Sequence, residues 1–75
     1  MEEKQFLENF SSIFDEVEAN QLTMETKFKN IGEWSSLSAL GLLAVMDEEY
    51  GVELNYNDIN NSETVRDIFD IIKNK

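Results

Sequence analysis

The side chains of this sequence that could do chemistry are serines, lysines and carboxylates, because histidine and cysteine are both absent. Histidine is the commonest general base, cysteine supplies the thiolate nucleophile, and both are common ligands of transition metals. A serine hydroxyl needs a base beside it to act as a nucleophile, and only carboxylates and lysines could supply that base. The residue types therefore disfavour an enzyme, and we expect neither catalytic residues nor a metal site.

The carboxylates form no recognisable catalytic or metal-binding pattern. No stretch has the alternating Asp/Asn residues, central glycine and terminal glutamate of an EF-hand, and Asn57, Asp58 and Glu63 do not meet that spacing. With 16 acidic and 6 basic residues, the net charge is −10. This charge repels nucleic acids and anionic membranes and attracts proteins with basic docking patches, although acidity that serves only solubility remains an alternative.

Length and composition predict one domain over residues 1–75. The hydrophobic share of 41% is sufficient for a compact core, which argues against wholesale disorder. A chain of this size lies near the lower limit at which a hydrophobic core alone can hold a fold. No disulfide is possible, so the packing of its elements must supply the stability.

Two segments have clear helical patterns. The first predicted helix covers roughly residues 3–17, where apolar residues recur at helical spacing: Phe6, Leu7, Phe10, Ile13, Phe14 and Val17. The second begins at Ser35 or Ser36 and runs to about Tyr50, where Gly51 offers a C-cap. Its predicted core face comprises Ala39, Leu42, Leu43, Met46 and Tyr50, which leaves Leu37 nearly opposite and Leu40 at the margin.

The remaining segments are less regular. Residues 18–34 predict a long surface loop that places anchors in the core, with Phe28 and Ile31 the best candidates and Trp34 packing on the next helix. A short strand is conceivable near residues 52–61, but one helical turn around Asn57–Ile59 fits better. The last helix begins near Thr64, which pairs with Asp67 in a capping box, and its core stripe comprises Val65, Ile68, Phe69 and Ile72. The prediction is an all-α bundle of three main helices and one short helix, with a long loop between helices 1 and 2.

The most specific pattern begins at Trp34-Ser35-Ser36-Leu37 and ends at Asp47-Glu48-Glu49-Tyr50-Gly51. It resembles the acyl carrier protein family, in which an Asp-Ser-Leu triplet opens a helix that ends in an acidic cluster, an aromatic residue and a glycine. Thr64-Val65-Arg66-Asp67 is similar to the Thr-Val-x-Asp start of that family's last helix. The resemblance covers essentially the whole chain and implies a four-helix acyl-carrier-like bundle.

The resemblance implies that Ser36 accepts 4′-phosphopantetheine from coenzyme A, transferred by a separate holo-carrier synthase. The thiol of this covalent cofactor would then carry an acyl group as a thioester, for biosynthesis of the fatty-acid or polyketide type, so the chain itself needs no cysteine. Acyl-transferring enzymes with basic docking patches are the other expected partners. The residues expected to contact partners are Ser35, Leu37, Leu40, Ala44, Asp47 and Glu48. The helical core is also expected to offer a short acyl chain an apolar cleft, lined by Leu42, Leu43, Met46, Ile59 and Ile68.

The sequence also departs from the family pattern. Ser35 replaces the aspartate that normally precedes the modified serine; it can still cap the helix but brings no charge. Ser38 and Gly41 occupy positions where family members often carry acidic residues, which confines the acidic docking surface to Asp47, Glu48 and Glu53. These departures suggest a specialised pathway.

Three alternatives remain open at this stage. The cargo could be an amino acid, as in peptidyl or D-alanyl carriers. The chain could be an unmodified helical interaction module, an alternative that Ser35 keeps open. Ser35 and Ser36 could also be no more than helix-capping residues.

The start of the sequence, Met1-Glu2-Glu3-Lys4, has no basic region followed by an apolar run, so no signal peptide is expected. The longest apolar stretch, residues 37–46, is about half the length needed to cross a bilayer. We therefore expect a cytoplasmic monomer without stable membrane insertion.

Overall fold

The computed structural model describes residues 2–75. These residues form four α-helices, α1 (Glu3–Ser11), α2 (Ser36–Tyr50), α3 (Tyr56–Asn60) and α4 (Val65–Asn74), and two short 3₁₀ turns, Ala19–Gln21 and Phe28–Asn30. The predicted all-α class, with three main helices and one short helix, is confirmed. Within this range no helix is both long enough and apolar enough to span a membrane.

Three helices begin at the capping residues that local sequence provides. Ser35, Asn55 and Thr64 are the N-caps of α2, α3 and α4, and each pairs with the residue three positions later in a capping box. In the last of these, the Asp67 carboxylate accepts hydrogen bonds from the Thr64 and Glu63 amides at 3.0 and 2.8 Å. These two backbone bonds lower the pKa of Asp67, and the bond from Thr64 has the larger effect. The predicted start of the last helix is therefore confirmed.

The first helix is shorter than its apolar pattern predicts, ending at Ser11 instead of near residue 17. The Ser11 and Ser12 hydroxyls donate to the carbonyls of Glu8 and Asn9, a local bonding that competes with helix continuation. Beyond this point the amides of Asp15 and Glu16 donate to the Glu33 carboxylate at 2.9 and 2.8 Å. Tertiary contacts thus replace the predicted last turns of this helix, although Phe14 stays buried.

The core lies where α1, α2 and α4 meet. Every predicted core residue of α4 is buried: Val65, Ile68, Phe69 and Ile72. On α2, Ala39, Leu42 and Met46 are buried, while Leu43 and Tyr50 are half-buried. Aromatic rings fill much of the remaining volume: Phe6 packs edge-on against Phe69 at 5.0 Å between ring centroids. The predicted core faces of the two helices are therefore confirmed in the main.

The long loop between α1 and α2 is anchored by apolar side chains. Phe28 is buried as predicted, whereas Ile31 is only half-buried, and Leu22 and Met24 supply the further buried anchors. Backbone bonds secure this loop to the start of α4: the Val65 and Arg66 amides donate to the Thr26 and Met24 carbonyls at 3.0 and 2.7 Å. The loop therefore has a defined path beside the start of α4.

Two glycines, one inside α2 and one at its C-cap, predict stability changes of opposite sign. Gly51 ends the helix at φ = 63°, so Gly51→Ala should cost about 1–2 kcal/mol of unfolding free energy. Gly41 lies inside the helix, and a Cβ there would meet Ile13 at an ordinary 3.6 Å. Gly41→Ala should therefore add about 0.5–1 kcal/mol. Urea unfolding of both variants checks the pair, and equal signs would contradict it.

Candidate functional site

The start of α2 is capped by Ser35 and Ser38. The Ser38 hydroxyl accepts from the Ser35 amide at 3.2 Å and donates to the Glu33 carbonyl at 2.9 Å. In return, the Ser35 hydroxyl accepts from the Ser38 amide at 3.4 Å. Ser38 thus has a structural role that the Ser-x-x-Ser spacing could have revealed, and the interpretation of Ser35 as a cap is correct.

Ser36, the first residue of α2, takes no part in this cap. Its side chain is exposed, and within residues 2–75 no hydrogen bond joins its hydroxyl to another residue. The capping alternative therefore accounts for Ser35 but not for Ser36. A free hydroxyl at the N-terminus of a helix is accessible, and the nearby amide groups favour an attached anion.

Ser36 opens onto a surface hollow of about 350 Å³, here called the Ser36 hollow. Three parts of the chain form it: the turn Phe28–Asn30 with Trp34, the start of α2, and α3. Its lining comprises Lys29, Trp34, Ser35, Ser36, Ala39, Tyr56, Ile59 and Asn60. The hollow therefore combines aromatic and apolar walls with one basic side chain.

The outward face of α2 carries the predicted partner residues. Leu37 is 77% exposed and Leu40 is 54% exposed, both large values for leucine. They continue at helical spacing into the exposed Ala44, Asp47 and Glu48. Five of the six residues predicted to contact partners therefore lie on one free face that is apolar near Ser36 and acidic toward its C-terminal end. The sixth, Ser35, is the N-cap of α2 and borders the Ser36 hollow.

A second hollow, of about 340 Å³, adjoins this face. It groups three of the predicted partner residues with Leu43 and with the segment that follows α2; its lining comprises Leu40, Leu43, Ala44, Asp47, Glu53 and Leu54. Glu53, predicted as part of the acidic surface, thus borders the same hollow as Asp47. Leu37 and Glu48 are outside this lining, although they share the helix face.

A scan of the sequence against known protein families finds no match.

The side chains predicted to line an acyl cleft lie mostly within the core. Leu42, Met46 and Ile68 are 0% exposed, and Ile59 is 3% exposed. Only Leu43 is half-buried, and it borders the hollow beside Leu40. These side chains are packed together, so an acyl cleft among them stays a prediction that would require the core to open.

Six of the eight residues that line the Ser36 hollow were not predicted as site residues. Three of these six had no predicted role of any kind: Lys29, Tyr56 and Asn60. Lys29 is seven residues before Ser36 in an irregular loop, and Tyr56 and Asn60 are at least twenty residues after it. Only the folded chain brings them together, and the Lys29 ammonium then donates to the Asn60 carbonyl at 3.3 Å. No spacing motif signals such a contact between a loop and a short helix.

The wall formed by α3 is held by an ion pair. The Asp58 carboxylate accepts from the Lys75 ammonium at 2.9 Å and from the Asn55 amide at 3.1 Å. Both bonds lower the pKa of Asp58, and the bond from Lys75 has the larger effect. Lys75 also donates to the Glu53 carbonyl at 2.9 Å, so it joins α3 to the segment that precedes it.

This ion pair predicts a pH-dependent contribution to stability. Because the pKa of Asp58 is lowered in the folded state, the contribution is present above the unfolded value of about 3.9 and is lost as the pH falls through the folded value. Asp58→Asn should lower the unfolding free energy by up to about 1 kcal/mol at neutral pH, and by nothing in strong acid. Urea unfolding across this range measures the difference.

The matched control is Asp70→Asn on α4. Asp70 is exposed and lies in none of the ion pairs found among residues 2–75, yet its substitution removes the same charge. It therefore corrects for the relief of repulsion in a chain of net charge −10. If Asp58→Asn and Asp70→Asn have equal effects at every pH, the ion pair contributes nothing.

Proposed function

We propose that this chain is a carrier protein whose Ser36 holds a 4′-phosphopantetheine arm on which acyl intermediates are attached as thioesters. The observation that carries the proposal is the free, exposed Ser36 hydroxyl at the first residue of α2, next to a cap made by other serines. The four-helix order and the resemblance of its motifs to acyl carrier proteins support the same function.

The chemistry requires little of the chain itself. The Ser36 oxygen would bond to the phosphorus that carries pantetheine, while the diphosphate bond of coenzyme A breaks and adenosine 3′,5′-bisphosphate leaves. The hydroxyl proton would pass to a base of the synthase. No base is needed on the carrier, which fits a chain without histidine. The amide groups at the start of α2 favour the resulting phosphodiester.

The outward face of α2 supports recognition by partner enzymes. Exposed Leu37 and Leu40 can pack against an apolar surface beside the attachment point, and Asp47 and Glu48 can pair with partner arginines or lysines. The holo-carrier synthase and the acyl-transferring enzymes would share this surface. The carrier would act as a cytoplasmic monomer, and the reduced acidity near Ser36 fits a specialised pathway.

The test is the intact mass of the purified chain after incubation with coenzyme A, magnesium and a broad-specificity phosphopantetheinyl transferase. We expect a mass gain equal to one phosphopantetheine, abolished by Ser36→Ala and retained by Ser12→Ala, a control at another exposed serine. Ser35→Asp restores the family's aspartate and can still cap α2, so it should accelerate the transfer.

Two outcomes would redirect the proposal. If neither the natural chain nor Ser35→Asp gains mass with several transferases, the unmodified helical interaction module becomes the better interpretation. If the holo-protein forms but is loaded only by an adenylating enzyme with an amino acid, the chain is a peptidyl or D-alanyl carrier. The cargo is therefore identified by the loading enzyme after modification is established.

A further inference from the structure

The Ser36 hollow contains one basic side chain, that of Lys29. This is notable in a chain with only 6 basic residues and a net charge of −10. Arg66 and Lys75 are engaged with carboxylates in ion pairs, whereas Lys29 pairs with none within residues 2–75. Its ammonium donates to the Asn60 carbonyl at 3.3 Å and lies 5.8 Å from the centre of the Phe28 ring.

Lys29 is thus a cation that lacks a charged partner and borders the same hollow as the free Ser36 hydroxyl. Its ammonium is carried on a flexible four-carbon stem, so it can follow an anion within the hollow. The volume of about 350 Å³ falls within the range of small-ligand sites, about 300–1,000 Å³. Charge complementarity therefore favours an anionic group at this position.

We infer that Lys29 holds the phosphodiester of the arm on Ser36, and that the Ser36 hollow seats the first part of that arm against Trp34 and Tyr56. This inference rests on the proposed function. A phosphate bonded to the Ser36 oxygen is confined beside the hollow, whereas the thiol at the far end of the arm is not. Covalent attachment keeps the effective concentration of this anion high, so even a weak surface pair can form.

Lys27 provides a matched control within the same loop. It is exposed like Lys29, but it lines the adjoining hollow with Lys29, Asn30 and Glu63, and not the Ser36 hollow. Lys27→Gln and Lys29→Gln remove the same charge two residues apart. Only the second should affect a phosphodiester on Ser36 if the contact is specific, and Lys29→Arg should preserve it.

The fluorescence of Trp34 can report whether the arm lies in the Ser36 hollow. Trp34 is the only tryptophan of the chain and lines the Ser36 hollow. An arm seated there would shield its half-buried ring, so quenching of its fluorescence by acrylamide should decrease from the apo to the holo form. The ³¹P chemical shift of the phosphodiester reports its contact with Lys29 directly.

The experiment compares apo and holo forms of the natural chain and of the three lysine variants. We expect Lys29→Gln to lose the shielding of Trp34 and to shift the ³¹P signal, while Lys27→Gln and Lys29→Arg retain both properties of the natural holo-protein. A contact between Lys29 and the phosphodiester should also raise the Tm of the holo form above that of the apo form. This gain in Tm should be smaller in Lys29→Gln by about 1–4 °C at low salt. This difference should disappear near 1 M salt, where the Debye length is about 3 Å.

The outcomes separate the two levels of the proposal. If the natural chain gains no phosphopantetheine mass, the proposed function fails. If the mass gain occurs but Lys29→Gln behaves like the natural holo-protein, the inference about Lys29 is wrong and the carrier function stands. Equal losses in Lys27→Gln and Lys29→Gln would also overturn it, because they would indicate a general charge effect.

Discussion

Replacement of Phe28 by alanine is expected to lower the free energy of unfolding by about 3–5 kcal/mol. Phe28 is 0% exposed although it belongs to the irregular loop between α1 and α2. Its ring packs edge-on against Phe10 and Trp34, with centroids 5.4 and 4.9 Å apart. The substitution would remove both aromatic pairs and leave a cavity between the loop and the helices.

Such a loss would remove much of the total stability. At roughly 0.05–0.15 kcal/mol per residue, a chain of 75 residues has about 4–11 kcal/mol in all. Urea unfolding followed by circular dichroism measures the change. Phe28→Leu fills part of the cavity and should cost less, while Leu37→Ala, at an exposed position, should stay within about 0.5 kcal/mol.

A loss below about 1.5 kcal/mol in Phe28→Ala would show that the loop repacks without its anchor. The result also bears on the candidate site, because Trp34 rests on Phe28 and lines the Ser36 hollow. A loosened loop should expose Trp34 and displace Lys29, the next residue along the chain. Stability of the loop and shape of the hollow are therefore coupled through one phenylalanine.

Local chemistry decided which parts of the fold could be predicted from sequence. The ends of α2 and the start of α4 follow from residues close in sequence: Ser35 and Gly51 for the first, Thr64 with Asp67 for the second. The end of α1 could not be predicted in this way, since apolar spacing continues to Val17 while the Glu33 carboxylate binds the amides of residues 15 and 16. A contact across about eighteen residues has no local signature.

In the candidate site, too, features set by residues close in sequence could be predicted, and features set by distant contacts could not. The free face of α2 could be predicted because a helix of known start fixes which side chains share a face. Ser36 itself was selected only by the resemblance to acyl carrier proteins. The Ser36 hollow could not be predicted, because its walls come from a 3₁₀ turn, α2 and a helix of five residues. Leu22 and Met24 were missed as anchors for a related reason: burial in an irregular loop follows no period.

The free face of α2 makes the second large prediction, which rests on the proposed function. Leu37→Ala should reduce kcat/KM for transfer of phosphopantetheine to Ser36 by roughly 10- to 100-fold, which corresponds to about 1.4–2.7 kcal/mol of lost contact with the synthase. Leu37 is 77% exposed and adjacent to Ser36, so its side chain is free for a partner. The rate is measured from intact mass over time.

The controls separate recognition from folding. Leu37→Met conserves volume and apolar character and should retain most of the rate. Asp47→Asn should weaken transfer in a salt-dependent way, whereas Asp70→Asn removes the same charge from α4, away from this face, and should not. Because Leu37 contributes little to the core, unchanged urea unfolding in Leu37→Ala together with a slowed transfer would assign the loss to docking. A rate within about twofold of the natural chain, less than about 0.5 kcal/mol, would instead show that the synthase binds another face.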